Sequence, residues 1–221
     1  MKKSPEHPAR TSIKTTSLKE RASKVSVKDF CKPYAKGSTL KTFLDALPTT
    51  LAAKDLKEIV QRTVTAYHQK RPIIFGMGAH VIKVGLNPLL IDLMKKGVIS
   101  CIAMNGAGAI HDVEIALTGN TSEDVSTGLQ EGQFGMALEA ADLISHAVQE
   151  GLSAQDGMGA AIGKRLLNVG APYTEMSLLA AGSQQGIPIT VHVSIGTDTI
   201  HMHPNFDGAA TGTLTHKDFL T

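Results

Sequence analysis

Residues 98–112 read Val-Ile-Ser-Cys-Ile-Ala-Met-Asn-Gly-Ala-Gly-Ala-Ile-His-Asp. An apolar run too short for a helix of ordinary length is bounded by Gly97 on one side and by Asn105-Gly106-Ala107-Gly108 on the other. That pattern reads as a buried strand over Ile99–Met104 running into a tight turn. The apolar residues beyond the turn (Ile110, Val113, Ile115, Ala116, Leu117) then predict a helix. The same sequence of events occurs twice more. Pro72-Ile73-Ile74-Phe75 enters Gly76-Met77-Gly78, and Ile189 to Ile195 enters Gly196-Thr197-Asp198. Strands separated by helical stretches imply parallel βαβ units, hence an α/β fold with a mostly parallel sheet.

The helices follow from their boundaries. Pro48-Thr49-Thr50 announces one in which Leu51, Leu56, Ile59, Val60 and Val64 share a face. Asn87-Pro88 reads as N-cap and first helical position, with closure at Gly97. Further helices are expected over Met136–Val148, after a capping box at Ser153–Asp156, and from Thr174 to Gly186. Three strands make a thin sheet for so many helices, and another helix and strand would be expected where the sequence stops at Thr221. The expectation is therefore a C-terminally shortened domain.

Composition narrows the class. Of 221 residues, 42% are hydrophobic but only 4% aromatic, with no Trp, so the core must be aliphatic and closely packed around glycine. Two distant cysteines, Cys31 and Cys101, make no disulfide framework and point to a reducing, cytoplasmic setting. No apolar run approaches the ~18 residues of a membrane span. The net charge of +2 conceals an asymmetry. Residues 1–36 hold ten Lys/Arg against three Asp/Glu, and the remainder twelve against seventeen. The expected organisation is a basic, flexible extension over 1–36 and an α/β domain over 37–221, mildly acidic and so a poor match to nucleic acid as principal ligand.

In open α/β sheets, ligands bind at the carboxyl ends of the strands, which places the candidate chemistry in three turns. In 76–85, Gly76 and Gly78 allow close backbone approach to a phosphate or ribose, while His80 and Lys83 offer a donor and a cation. Val81 stands where a dinucleotide fingerprint has its third glycine. In 105–114, Asn105, Gly106 and Gly108 are cofactor-binding candidates, and His111 and Asp112 near a helix start are catalytic ones. In 196–203, Asp198 is a further cofactor contact and His203 a second acid/base candidate. His201 and His203, at alternate positions, would face one side of an extended segment and with Asp198 form an alternative metal site. His192, inside the strand, reads as a core histidine. No Gly-x-Ser-x-Gly elbow, phosphate-binding Walker loop, His-Glu-x-x-His helix or Cys-x-x-Cys pair is present, which excludes the common hydrolase and nucleoside-triphosphatase types.

The order of these elements resembles the deoxyhypusine synthase family over roughly residues 40–215, at low identity. The helix closing in Lys96-Gly97 and the segment 98–112 resemble that family's helix, strand and acidic turn; Asp112 matches the turn's last acid and His111 stands where the family has Glu. Residues 76–85 resemble its NAD-binding turn, with His80 and Lys83 as departures. Residues 186–204 resemble its later strand and Gly-Ser-Leu-Gly-Asp turn. The resemblance implies a Rossmann-like three-layer αβα domain, NAD as cofactor, and a homo-oligomer (dimer or tetramer). It also implies transfer of an aminobutyl group to a lysine or small amine through an imine on an enzyme lysine. The family's late Gly-rich, Lys-containing motif has no counterpart, since Lys217 is the only lysine after His203. The expected function is thus an NAD- or nucleotide-binding enzyme, an amine-processing transferase, taking a small-molecule amine or nucleotide-like substrate. The alternatives are a metal-dependent enzyme using His201 and His203, or a non-catalytic binding or assembly subunit.

Overall fold

The computed structural model describes residues 13–221. It divides into two compact units, one ending at Val64 and one beginning at Thr65. The extension expected over 1–36 falls partly on residues 1–12, outside the described residues. Residues 13–36 carry a 3-10 turn at Val27–Asp29, capped by Ser26. The rest of the first unit is built on α1 (Leu40–Ala46), capped by Thr39, and the greater part of α2 (Leu51–His68). Local bonds hold it: the Lys32 N–H donates to the Ala46 carbonyl, the Thr49 hydroxyl to Asp29, and Tyr34 meets Phe43 edge to face. The apolar face read along α2 is real in spacing, but none of the helix's residues is buried.

The second unit is α/β. Its sheet is small, open and parallel, in the order β1 (Ile74–Met77), β2 (Cys101–Asn105), β3 (Ile189–His192). Between β1 and β2 lie α3 (His80–Lys83) and α4 (Asn87–Lys95); between β2 and β3 come α5 (Gly106–Thr118), α6 (Val125–Glu131), α7 (Leu138–Ala154), α8 (Met158–Asn168) and α9 (Leu178–Gln185). A final helix, α10 (Gly208–Phe219), follows β3. Ile102, Met104 and Val191 are fully enclosed, joined by Ile162, Leu166, Leu178 and Leu179 from the helices. This is the aliphatic core the composition required. Close packing is explicit at Gly159, where a Cβ would stand 1.6 Å from the Ile189 carbonyl oxygen, so α8 meets β3 backbone to backbone.

Several boundaries differ from the expectation. Asn87 is not an N-cap: it is the first residue of α4, and its buried amide donates to Asp112 Oδ1 (3.1 Å) and to the Met176 carbonyl (2.8 Å). The capping box at 153–156 does not form, because α7 continues to Ala154 and Gln155 closes it in the left-handed region. Gly157 caps α8 instead, at a point where a Cβ would collide with Asp218. Thr174 opens only a 3-10 turn; α9 is capped by Ser177, whose hydroxyl accepts from the Ala180 N–H. β3 ends at His192, which is exposed and bonded to the Thr190 hydroxyl rather than set in the core. The helix α10 had no sequence expectation.

Candidate active site

At the carboxyl ends of the strands the three turns converge on a cleft of about 190 Å3. Its polar lining includes Lys83 from the end of α3, His111 and Glu114 from α5, Ser122 and Glu123, and Thr197, Asp198 and Thr199 from the segment after β3; Ile110, Val125 and Phe134 supply apolar wall.

The best-defined chemistry lies on α5. His111 and Glu114 are three apart, and so lie on one helix face. His111 Nδ1 is 3.1 Å from Glu114 Oε2 and 2.6 Å from Thr121 Oγ1, and the Thr121 hydroxyl also donates to Glu114. A carboxylate can only accept, and the Thr121 proton is committed to it, so the hydrogen between ring and partners sits on Nδ1. Nε2 is then the nitrogen with a free lone pair. Burial pushes the Glu114 carboxyl up, but hydrogen bonds from His111 and Thr121, with the His111 charge, outweigh it and leave the group below its ordinary range. An imidazole oriented through Nδ1 by an ionised carboxylate is the arrangement a general base needs.

Asp198 faces the same cleft in the opposite state. Its side chain is only 9% exposed, and among the described residues no group outside its own 3-10 turn (Thr199–Met202) hydrogen-bonds its carboxylate. Burial raises its pKa, only partly offset by the neighbouring His201 ring. The carboxylate lies against the first residue of α5: a Cβ on Gly106 would stand 2.0 Å from Asp198 Oδ2. Two carboxyl groups lining one cleft with pKa values displaced in opposite directions are a recurrent sign of acid–base division of labour.

The other expected site residues are distributed differently. Asp112 is fully buried and holds the α5–α9 junction, accepting from the Ser177 hydroxyl (2.6 Å), the Leu178 and Leu179 N–H groups (2.8 and 3.0 Å) and Asn87. Asn105 caps α5 by accepting from the Gly108 N–H, and Gly108 is tight against Met104. Gly76, Gly78 and His80 are exposed beside the cleft without lining it, and neither glycine meets anything within 4 Å of a built Cβ. His203 is buried, with Nε2 3.3 Å from the Gly135 carbonyl. His201 and His203 do not share a face, because the segment is a 3-10 turn rather than extended. Among the described residues no group of three or more His, Cys, Asp or Glu is arranged to hold a metal ion.

A dinucleotide in this kind of fold rests its pyrophosphate on the N-terminus of the helix after a strand. Here the Asp198 carboxyl occupies that place against the first residue of α5 and leaves a phosphate no room there. The residues at α5 therefore do not fit the pyrophosphate of NAD. A second cavity of about 350 Å3 adjoins the cleft, sharing Glu114, Ser122 and Glu123 and adding Glu139. The two open spaces thus carry four carboxyl groups against one lysine.

Thr121 and Glu123 were not among the candidates, and Glu114, which clusters in sequence with His111 and Asp112 near the helix start, was assigned no role. The His111–Glu114 spacing was a usable signal; nothing local shows that the segment after α5 returns to place Thr121 on His111. No family model matches the sequence, and no curated protein aligns with it significantly. Among the described residues no helix is long and apolar enough to cross a membrane.

Proposed function

We propose that the chain is an acid–base enzyme acting on a small, amine-bearing substrate in the cleft at the carboxyl ends of the strands. The observation that carries this reading is the His111–Glu114–Thr121 cluster lining a cleft shared with Asp198. A bound ammonium is attracted by Glu123 and the neighbouring Glu139. His111 Nε2 takes a proton from it, and the freed amine forms a C–N bond to an electrophilic carbon of a second bound substrate as that carbon's bond to its departing group breaks, with Glu114 stabilising the imidazolium. Asp198, protonated to higher pH than an ordinary aspartate, supplies a proton to the departing group. Lys83 pairs with an anionic part of the substrate. An amine-bearing substrate is in keeping with the resemblance to deoxyhypusine synthases, although this reading does not use their NAD and lysine-imine chemistry, and it takes the scaffold as Rossmann-like and three-layered. It also takes the protein as a homo-oligomer, supported by exposed Leu51 and Ile59 on α2 (86% and 62% exposed).

Thermal unfolding with putrescine as the probe tests the proposal. A ligand that binds only the folded state stabilises it by about 2.7 kcal/mol at a hundred times its Kd. Millimolar putrescine is expected to raise Tm, and Glu123→Gln with Glu139→Gln to abolish the rise. Stabilisation by NAD but not by putrescine would overturn the amine reading in favour of a nucleotide.

A further inference from the structure

His201 lies behind Asp198, on the side away from the open cleft. Its side chain is 6% exposed. The backbone N–H groups of Gly196 and Asp198 both donate to its Nδ1, at 2.9 and 3.2 Å. Nδ1 must therefore be unprotonated, and the ring hydrogen is on Nε2. That Nε2–H is buried and has no hydrogen-bond partner, and it stands 3.9 Å from Asp198 Oδ2. The separation is too long for a direct hydrogen bond and is one at which an intervening water should be sought. A narrow cavity of about 10 Å3 adjoins both side chains and is lined as well by Ser145, Thr211 and Asp207. That is about the space one water centre requires, and His201 and Asp198 alone are the two polar partners that a buried water needs at the least.

We propose that one ordered water in this cavity accepts from His201 Nε2–H and donates to Asp198 Oδ2, making His201 the positioning residue that holds the Asp198 carboxyl at the floor of the cleft. The inference rests on the functional reading of Asp198 given above. His201 can act only as a donor, because protonating Nδ1 would cost both backbone bonds. A donor relayed to Asp198 favours its charged form and limits the upward push of burial. The other charged groups facing Asp198 are Lys83, His111, Glu114 and Glu123 across the cleft, with Asp207 in the inner cavity.

NMR of the complete, ligand-free protein tests this. Long-range 1H–15N correlation is expected to show the neutral His201 ring as the Nε2–H tautomer, with a water cross-peak to that hydrogen. Carboxyl 13C titration is expected to move the Asp198 midpoint upward by about half a pH unit or more in His201→Phe. His201→Gln, whose amide can accept from the two backbone groups and still donate, should restore it. An Nδ1–H tautomer, a missing water cross-peak, or an unshifted Asp198 midpoint in folded His201→Phe overturns the proposal. Should His201→Phe fail to fold, the tautomer and water signals of the wild type, and the midpoint in His201→Gln, decide alone. No putrescine is present, so a failure of the amine reading leaves these outcomes legible.

Discussion

Asp112 and Asp198 are both aspartates set at helix N-termini, and burial pushes both carboxyls up. Around Asp112, four donors from α4 and from the start of α9 converge on one carboxylate. Around Asp198, nothing outside its own turn donates, and His201 is held off at 3.9 Å. One group is therefore committed to the fold, and the other is left with capacity for something that enters. Burial alone does not separate them, and neither does charge. The count of satisfied hydrogen bonds does.

Substitutions can break this contrast. Asp112→Ala should have the largest effect, because it orphans two backbone N–H groups, Ser177 and Asn87 together. A loss of about 3 kcal/mol or more in urea unfolding is expected, and a loss under about 1 kcal/mol would show that the junction is not held this way. Gly106→Ala should come next, at about 1–3 kcal/mol, since the new Cβ must push Asp198 away from α5. If overpacking is the cause, Gly106→Ala combined with Asp198→Gly recovers part of the loss.

Asp198→Asn should act in the other direction, stabilising the protein at neutral pH by about 1 kcal/mol while removing the cleft's acid. The sign follows from the raised pKa. The protonated form is favoured by folding, so wild-type stability is complete below the unfolded-state value and declines as pH rises through the folded-state value. Asn does not titrate, so the variant's advantage in Tm should vanish on acidification. An equal advantage at every pH would contradict the raised pKa.

Glu114→Gln should have the smallest effect on stability. Its lowered pKa gives a contribution present above the unfolded-state value and lost as pH falls through the folded-state one. The group is 24% exposed, so about 0.5 kcal/mol is expected at neutral pH. Binding and turnover should suffer far more than Tm, the reverse of the Asp112 pattern.

The parallel sheet was legible because each strand is a short apolar run followed by a glycine-containing turn, but only β2 and β3 are buried: β1 lies at the sheet edge, exposed to half-buried, where a buried strand was expected. The location of the cleft followed, since strand ends determine where the turns lie. Assigning roles within the turns was harder. His111 and Asp112 are adjacent, yet a helix directs neighbours about 100° apart, one to Thr121 and the cleft, the other into the α9 junction. Their separation depends on which face of α5 meets α9, a tertiary fact. His201 and His203 were paired by a period of two that a 3-10 turn does not have. Helix α10 went unread because its apolar positions are few and small, with Ala210 and Leu214 doing the burying.

The order of strands along the chain bears on how the molecule comes into being. β1 and β2 are separated by a short crossover and can meet while little else is in place. β3 can join only after α5 to α9 have been laid down, and long-range parallel pairing of that kind is slow. Asp198 follows β3. The proposed base on α5 is therefore positioned by contacts available early, while the proposed acid arrives with the last strand of the sheet. An intermediate lacking β3 would hold His111, Glu114 and Thr121 without their counterpart, so partly folded molecules would be inert, and recovery of activity should lag recovery of helix in refolding kinetics.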